Sequence, residues 1–273
     1  MQKYAAILSY SGTRFCGWQE QRGPDSGNTP SVQETIQGAV HQMTGEKVSI
    51  VGSGRTDSGV HAVGQVAHFV LRERDWDPRI LFRGLNSILR PSIQLVEVRK
   101  VPIEFHAQRS AVKKQYSYFF QQGPCALPHL EPFSWWIYKT LDQDAMREAA
   151  SYLVGEHNFK PFQGKGAKVG STVRRILEAE VVFEPLQFPH FSSVGGDPFG
   201  FVRVRLMGTG FLKQMVRGIA GTLLEIGEGR RPATDMRDIL ATLDRSEVGR
   251  TAPGRGLWLE RVWYPVELWG GLE

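Results

Sequence analysis

VSIVGSGRTDSGVHAVGQVAHFVL, residues 48–71, decides the fold. Val48–Ser53 and Gln65–Leu71 have the apolar, β-branched make-up of strands, and the glycines at 52, 54 and 59 mark a tight loop between them. On the N-terminal side, Ser31 to about Met43 reads as a helix. Ser31 can cap it, Glu34 completes a capping box, and Val32, Ile36, Ala39, Val40 and Met43 form one apolar stripe. On the C-terminal side, Pro78 to about Leu89 reads as a second helix, capped by Asp77 with proline at its first position. Tyr4–Tyr10 and Ile93–Lys100 supply the outer strands. The order β-α-β-β-α-β is the ferredoxin-like arrangement.

The remainder repeats that order. Val112–Gln121 is a strand by its Tyr and Phe content, and Asp142 to about Val154 is a helix. Val173–Phe183 and Phe201–Met207 are strands, and Phe211 to about Ile226 is an apolar helix closed by Gly227. Thr234 to about Leu243 adds a helix, and Leu257–Tyr264 a last strand. The expectation is an α+β protein of two ferredoxin-like halves, residues 1–106 and 107–273. Mixed or antiparallel sheets would join around a central cleft. Two long Gly- and Pro-rich connections, 21–30 and 185–200, have the length of functional or disordered loops.

Composition excludes several classes. Of 273 residues, 41% are hydrophobic and 22% charged, which rules out a disordered chain. Cys16 and Cys125 are too few for a disulfide framework or a four-cysteine zinc site. No apolar run approaches the roughly 18 residues that span a bilayer, and MQKYAAILSY lacks the apolar stretch of a signal peptide. A cytoplasmic protein without membrane contact is expected. The net charge of +5 names no partner, but its distribution is informative. Windows 105–130, 157–177 and 198–224 contain no carboxylate. They hold Arg109, Lys113, Lys114, Lys160, Lys165, Lys168, Arg174, Arg175, Arg203, Arg205, Lys213 and Arg217. Aromatic residues interleaved with them suit a nucleic-acid surface, although a packed core with solvated lysines has the same pattern.

The chemistry concentrates in the 52–59 loop, which sets Arg55 beside Asp57. An arginine favours the ionised carboxylate, ready as nucleophile or base. A β-turn with a surface arginine would read the same way. His61 and His68 with Asp57 match no standard metal spacing. Cys16, between Phe15 and Gly17, reads as a small buried thiol rather than a nucleophile. No phosphate-binding glycine loop of either standard kind and no nucleophile elbow is present.

GRTDSGVHA, residues 54–62, closely resembles the signature of the TruA-type tRNA pseudouridine synthases. SYSGTRFCGWQ (9–19) resembles that family's opening strand and loop, and SVQETI (31–36) its first helix. FHAQRSAVKKQYSYFF (105–120) resembles the segment of its active-site tyrosine, and LVGEHNFKPF (153–162) its helix-end motif. GTGFLKQMVRGIAGTLLEIGEG (208–229) resembles its long helix, and TAPGRGLWLERVWY (251–264) its closing strand. The motifs run in order over essentially the whole chain.

The resemblance implies that Asp57 is the catalytic residue, as nucleophile or as the base of a glycal route. Uracil is detached at N1 and reattached through C5, which requires no cofactor and no metal. Tyr116 matches the active-site tyrosine, with Tyr118 left to the core. Arg217 matches the arginine that pairs with the carboxylate, and Phe211 and Leu212 the apolar wall beside it. Arg55 is suited to contact a uridine flipped from its stem. Lys113, Lys114, Lys160, Lys165, Lys168, Arg174 and Arg175 are the expected RNA contacts. The implied partner is the anticodon stem-loop of tRNA, modified at positions 38–40, and the implied assembly is a homodimer. Ser11 stands where the family has Asp, Asn158 where it has His-Asp, and Lys160 where a small hydroxyl residue is common. Two rivals stay open: a noncatalytic RNA-binding module, and a metal-dependent hydrolase built on Asp57, His61 and His68.

Overall fold

The computed structural model describes residues 1–19, 29–166, 170–186 and 199–270. Lys168 and most of the 21–30 and 185–200 connections lie outside these. The chain divides into two compact units, Met1–Lys114 with Leu259–Glu273, and Gln115–Trp258.

The first unit runs β1 (Gln2–Tyr10), α1 (Val32–Thr44), β2 (Val51–Gly52), β3 (His61–Leu71), α2 (Pro78–Leu89) and β4 (Ile93–Lys100). β1 lies antiparallel between β3 and β4, with Tyr4 opposite Phe69 on one side and Lys100 on the other. Both helices start as their caps dictate. The Ser31 hydroxyl accepts from the Glu34 amide at 3.1 Å, and the Glu34 carboxylate accepts from the Ser31 amide at 2.9 Å. Asp77 accepts from the Arg79 amide at 2.7 Å. α2 buries Leu81, Leu85 and Leu89, while Asn86 exchanges two hydrogen bonds with the Leu95 backbone of β4.

The strand expected over Val48–Ser53 shrinks to Val51–Gly52. Its carbonyls are taken from the side by α1: Gln37 donates to Val48 O at 3.0 Å and Gln33 to Ile50 O at 2.7 Å. β3 conversely begins at His61, four residues before its expected start. Gly64 hides this strand in the sequence, because glycine is a poor strand former. Here it serves close approach: a Cβ would stand 2.1 Å from Glu260 O.

The second unit contains most of β5 (Lys113–Gln122), then β6 (Trp135–Ile137), α3 (Gln143–Ser151), β7 (Gly155–Asn158), β8 (Val173–Pro185), β9 (Gly200–Gly208), α4 (Met215–Gly227) and α5 (Asp235–Thr242). Its strands lie in the order β5-β9-β8-β7, with β6 parallel to β5. β8 and β9 form a long antiparallel pair centred near Val181 and Val204. The class is α+β, as expected. α4 starts at Met215 rather than Phe211 because Gln214 has φ +60°, outside the right-handed helix. Gly227 is the last helical residue, and the left-handed glycine is Gly229, whose amide donates to Ile226 O at 2.9 Å. Gly227 instead makes room for Met146, whose Sδ would lie 2.6 Å from a Cβ there.

β10 (Leu257–Trp263) and α6 (Val266–Trp269) follow. The half-and-half division at 106/107 put this segment in the second half. Residues from Leu259 instead belong to the first unit, where β10 neighbours β3. Tyr264 and Trp269 stack at 5.0 Å and both pack on Phe105, while the Arg99 guanidinium lies 4.7 Å above the Trp269 ring. Among the described residues no helix is long and apolar enough to cross a membrane.

His68 lies under this cluster, edge-on to Phe105, and its Nδ1 accepts from the Ala107 amide at 3.1 Å. Burial first, then the charges of His106, Lys3 and Arg109, pull its pKa from 6.5 down to about 4. A base held neutral by the fold adds stability above its unfolded pKa, and that stability is lost as pH falls through the folded value. Between pH 7.5 and pH 4 the chain should therefore lose up to about 3 kcal/mol through this residue. His68→Gln keeps an acceptor without a titrating ring. Thermal melts across this range should show a smaller loss for the variant, and an equal loss would exclude His68 as the cause.

Candidate active site

The Asp57 loop leaves β2 at Ser53 and enters β3 at His61. Its backbone is anchored at Ser53, Gly54, Thr56 and Asp57. The Ser53 amide donates to Val66 O at 2.7 Å, and its hydroxyl to Gln65 Oε1 at 2.6 Å. Gln65 Nε2 donates onward to Gly54 O at 2.8 Å. Thr56 Oγ1 bonds the Tyr10 hydroxyl at 2.9 Å, and Thr56 O accepts from the Trp18 amide at 3.0 Å. Asp57 O accepts from the Val60 amide at 3.1 Å, closing a turn that Gly59 completes at φ +75°. Ser53, Thr56 and Gln65 are buried, Arg55 is exposed and Asp57 is half-buried. The polar groups that hold the loop thus point inward, and the arginine side chain stays available to solvent.

The 11–19 segment backs this arrangement. Gly17, at φ +117°, brings its backbone so close that a Cβ would stand 2.7 Å from Thr56 O. Ser58 Oγ donates to Phe15 O at 3.3 Å, and the Gly12 amide donates to His61 Nδ1 at 3.1 Å. Tyr10 is fully buried, which raises its pKa to about 12, so it is a neutral hydrogen-bonding group. His61 and His68 each spend Nδ1 on a backbone amide, the part of structural histidines rather than of a ligand pair. Ser11, one of the departures, bonds Thr13 Oγ1 at 3.2 Å and donates its amide to Ser92 O.

Lys113 and Lys114 take different paths from the expected one. The Lys113 ammonium lies 4.8 Å from the centre of the Trp263 ring. Lys114 turns inward and donates to Ser53 O at 2.6 Å, and burial draws its pKa down to about 8. One of its three N–H donors is thus spent inside the fold, at a residue expected among the RNA contacts.

In the second unit, Tyr116 is buried with its ring edge-on to Phe211 at 4.9 Å. Leu212 is buried close by in sequence. Tyr118 is a core residue, its hydroxyl donating to Pro253 O at 2.9 Å and its pKa pushed up by burial. Arg217 lies on the first turns of α4, and Nε donates to Ala252 O at 2.7 Å. The 249–252 segment lies along this helix: the Ala252 amide returns to Arg217 O at 3.1 Å and the Gly249 amide to Thr222 Oγ1 at 3.1 Å.

Among the expected RNA contacts of this unit, Lys160, Lys165 and Arg175 are exposed. Arg174 is half-buried, and its Nη1 donates to Ser171 O and Val173 O. Asn158 ties β7 to β8 by accepting from the Thr172 hydroxyl at 2.7 Å. Two further cations are exposed, Lys213 of the 198–224 basic window and Arg245, which sequence reasoning passed over. The Arg245 guanidinium donates to Gln163 O, and Lys213 O accepts from the Gly164 amide at 2.7 Å. Both bracket the segment bearing Lys160 and Lys165. It also passed over Gln65 and Tyr10. A glutamine inside an apolar strand was the available signal for the first.

The family model for tRNA pseudouridine synthase matches residues 6–108 and 149–265. A tRNA pseudouridine synthase A of Myxococcus xanthus is 37% identical over 269 residues, 97% of this chain and 92% of that protein. One of Ruminiclostridium cellulolyticum is 37% identical over 264 residues, 97% of this chain and all of that protein. One of Syntrophotalea carbinolica is 39% identical over 259 residues, 94% of each. With matches of this extent over both units, the chain belongs to the tRNA pseudouridine synthase family, a family of isomerases.

Proposed function

We propose that this enzyme converts uridine to pseudouridine in the anticodon stem-loop of tRNA, at positions 38–40, with Asp57 as the catalytic residue. The observation that carries the reading is the Asp57 loop itself. A half-buried carboxylate sits on a backbone anchored at Ser53, Gly54 and Thr56, beside an exposed arginine. Fixed placement of a reacting group lowers the barrier by removing its orientational freedom in advance.

The reaction breaks the bond from C1′ to N1, turns the uracil, and forms the bond from C1′ to C5. The C5 proton departs and N1 ends protonated, so atoms and electrons balance within the substrate. Asp57 attacks as a nucleophile, or takes the proton whose loss opens the glycal route. Arg55 holds or replaces the uridine flipped from its stem. Tyr116 offers a ring to the target base, its own position set by Phe211, with Leu212 as apolar support. Arg217 takes the part of the arginine that pairs with the catalytic carboxylate. Lys160, Lys165 and Arg175, joined by Lys213 and Arg245, meet RNA phosphates, which position the RNA without reading its sequence. The working form is a cytoplasmic homodimer.

The test uses unmodified tRNA transcripts with tritium at C5 of every uridine. The protein alone should release tritium, and mapping should place pseudouridine at 38–40. Product confined to other positions would overturn the assigned region, and no release at all would overturn the activity.

A further inference from the structure

We infer that Lys114 is a positioning residue for the Asp57 loop, holding through Ser53 the point at which the loop leaves β2. Gly52 and Gly54 flank Ser53, and glycine leaves the backbone free to rotate at both. Two consecutive carbonyls are nonetheless fixed. Ser53 O accepts from Lys114 Nζ at 2.6 Å, and Gly54 O from Gln65 Nε2 at 2.8 Å. These oxygens define the two peptide planes that immediately precede Arg55. Rotation of either plane carries Arg55 and Asp57 with it.

The remaining polar groups of Ser53 are also engaged, its amide by Val66 O and its hydroxyl by Gln65. Lys114 therefore completes a fully bonded residue at the loop's root. Among the described residues it has no carboxylate partner. An ammonium without a counter-ion is costly to bury for packing alone. Its one short bond to a carbonyl is of the charge-assisted kind, stronger than a neutral donor would make. Lys113, the preceding residue on the strand, shows the other outcome, with its charge laid on an aromatic face.

This inference rests on Asp57 being the catalytic residue, so Asp57→Ala is measured alongside. With Lys114→Met, kcat on saturating tRNA should fall by about 10²-fold, the loss that a displacement near 1 Å produces. The Kd for tRNA should stay within about twofold and its salt slope unchanged, because no phosphate contact is removed. Amide exchange in residues 53–57 should accelerate, while exchange in β1 stays as it was. Lys114→Arg, which restores a charged donor, should recover kcat to within about tenfold. If Lys114→Met does not fold, Lys114→Gln replaces it with the same expectations. Unchanged kcat with unchanged loop exchange overturns the inference. A weakened Kd with a salt slope reduced by about one overturns it too, in favour of a phosphate contact. Activity surviving in Asp57→Ala would defeat the reading beneath it. An inactive Asp57→Ala beside a fully active Lys114→Met would defeat the Lys114 inference alone.

Discussion

Asp57→Ala should lower single-turnover pseudouridine formation by about 10⁴-fold, the upper end of what one acid–base group contributes. The Kd for tRNA should remain within about twofold, since affinity for a nucleic acid resides mainly in its phosphate contacts. The anchors at Ser53, Gly54, Thr56 and the Asp57 carbonyl do not use the carboxylate. The variant should therefore keep its loop and bind substrate in the same place. Tritium release measures the first quantity and filter binding the second. A rate within tenfold of the parent would remove Asp57 from the chemistry. A parallel fall in affinity would make it a binding residue.

The second large effect is on folding. At Gly221 in the middle of α4, a Cβ would stand 1.6 Å from Arg250 O and 2.8 Å from its carbonyl carbon. The obstacle is backbone, so no side chain can swing aside. The 249–252 segment is also fastened to the helix at Arg217, Thr222 and Glu225. Gly221→Ala must push this segment off the helix, at a cost of about 3 kcal/mol or more, the top of the usual range for overpacking. In a chain of this size that lowers Tm by roughly 6–12 °C. The displacement also frees the Ala252 carbonyl that holds Arg217 Nε, so activity should fall at temperatures where the variant is still folded. A melt within about 2 °C of the parent would show that the segment relaxes without penalty.

Where local rules govern, the sequence was legible. The capping box at Ser31, the Asp77–Pro78 start and the ends of α2 and β4 were all readable because each depends on neighbouring residues. The glycine-framed Asp57 loop was readable for the same reason. The misses were tertiary. Nothing near Val48–Ser53 says that two glutamines of α1 will claim its carbonyls. Gln214 has an ordinary helix-forming side chain, which gives no sign of a φ of +60°. Lys114 stood in a run of basic residues, and charge pattern alone cannot tell an inward ammonium from an outward one. The strand over Leu257–Trp263 was found, but its unit was not. Pairing beside β3 is a long-range choice that Gly64 alone hints at.

That discontinuous first unit has a consequence for synthesis. Asp57 and its anchors are translated early, yet the aromatic cover that Tyr264 and Trp269 place on Phe105 is made only after Gln115–Trp258. At the usual 5–20 residues per second, those roughly 140 residues take about 7–30 s. During that interval β3 waits without β10 beside it, and Phe105 stays uncovered. The unit that bears the aspartate is begun first on the ribosome and finished last, so a chain halted between Lys114 and Leu259 carries the whole Asp57 motif without the structure that completes its unit.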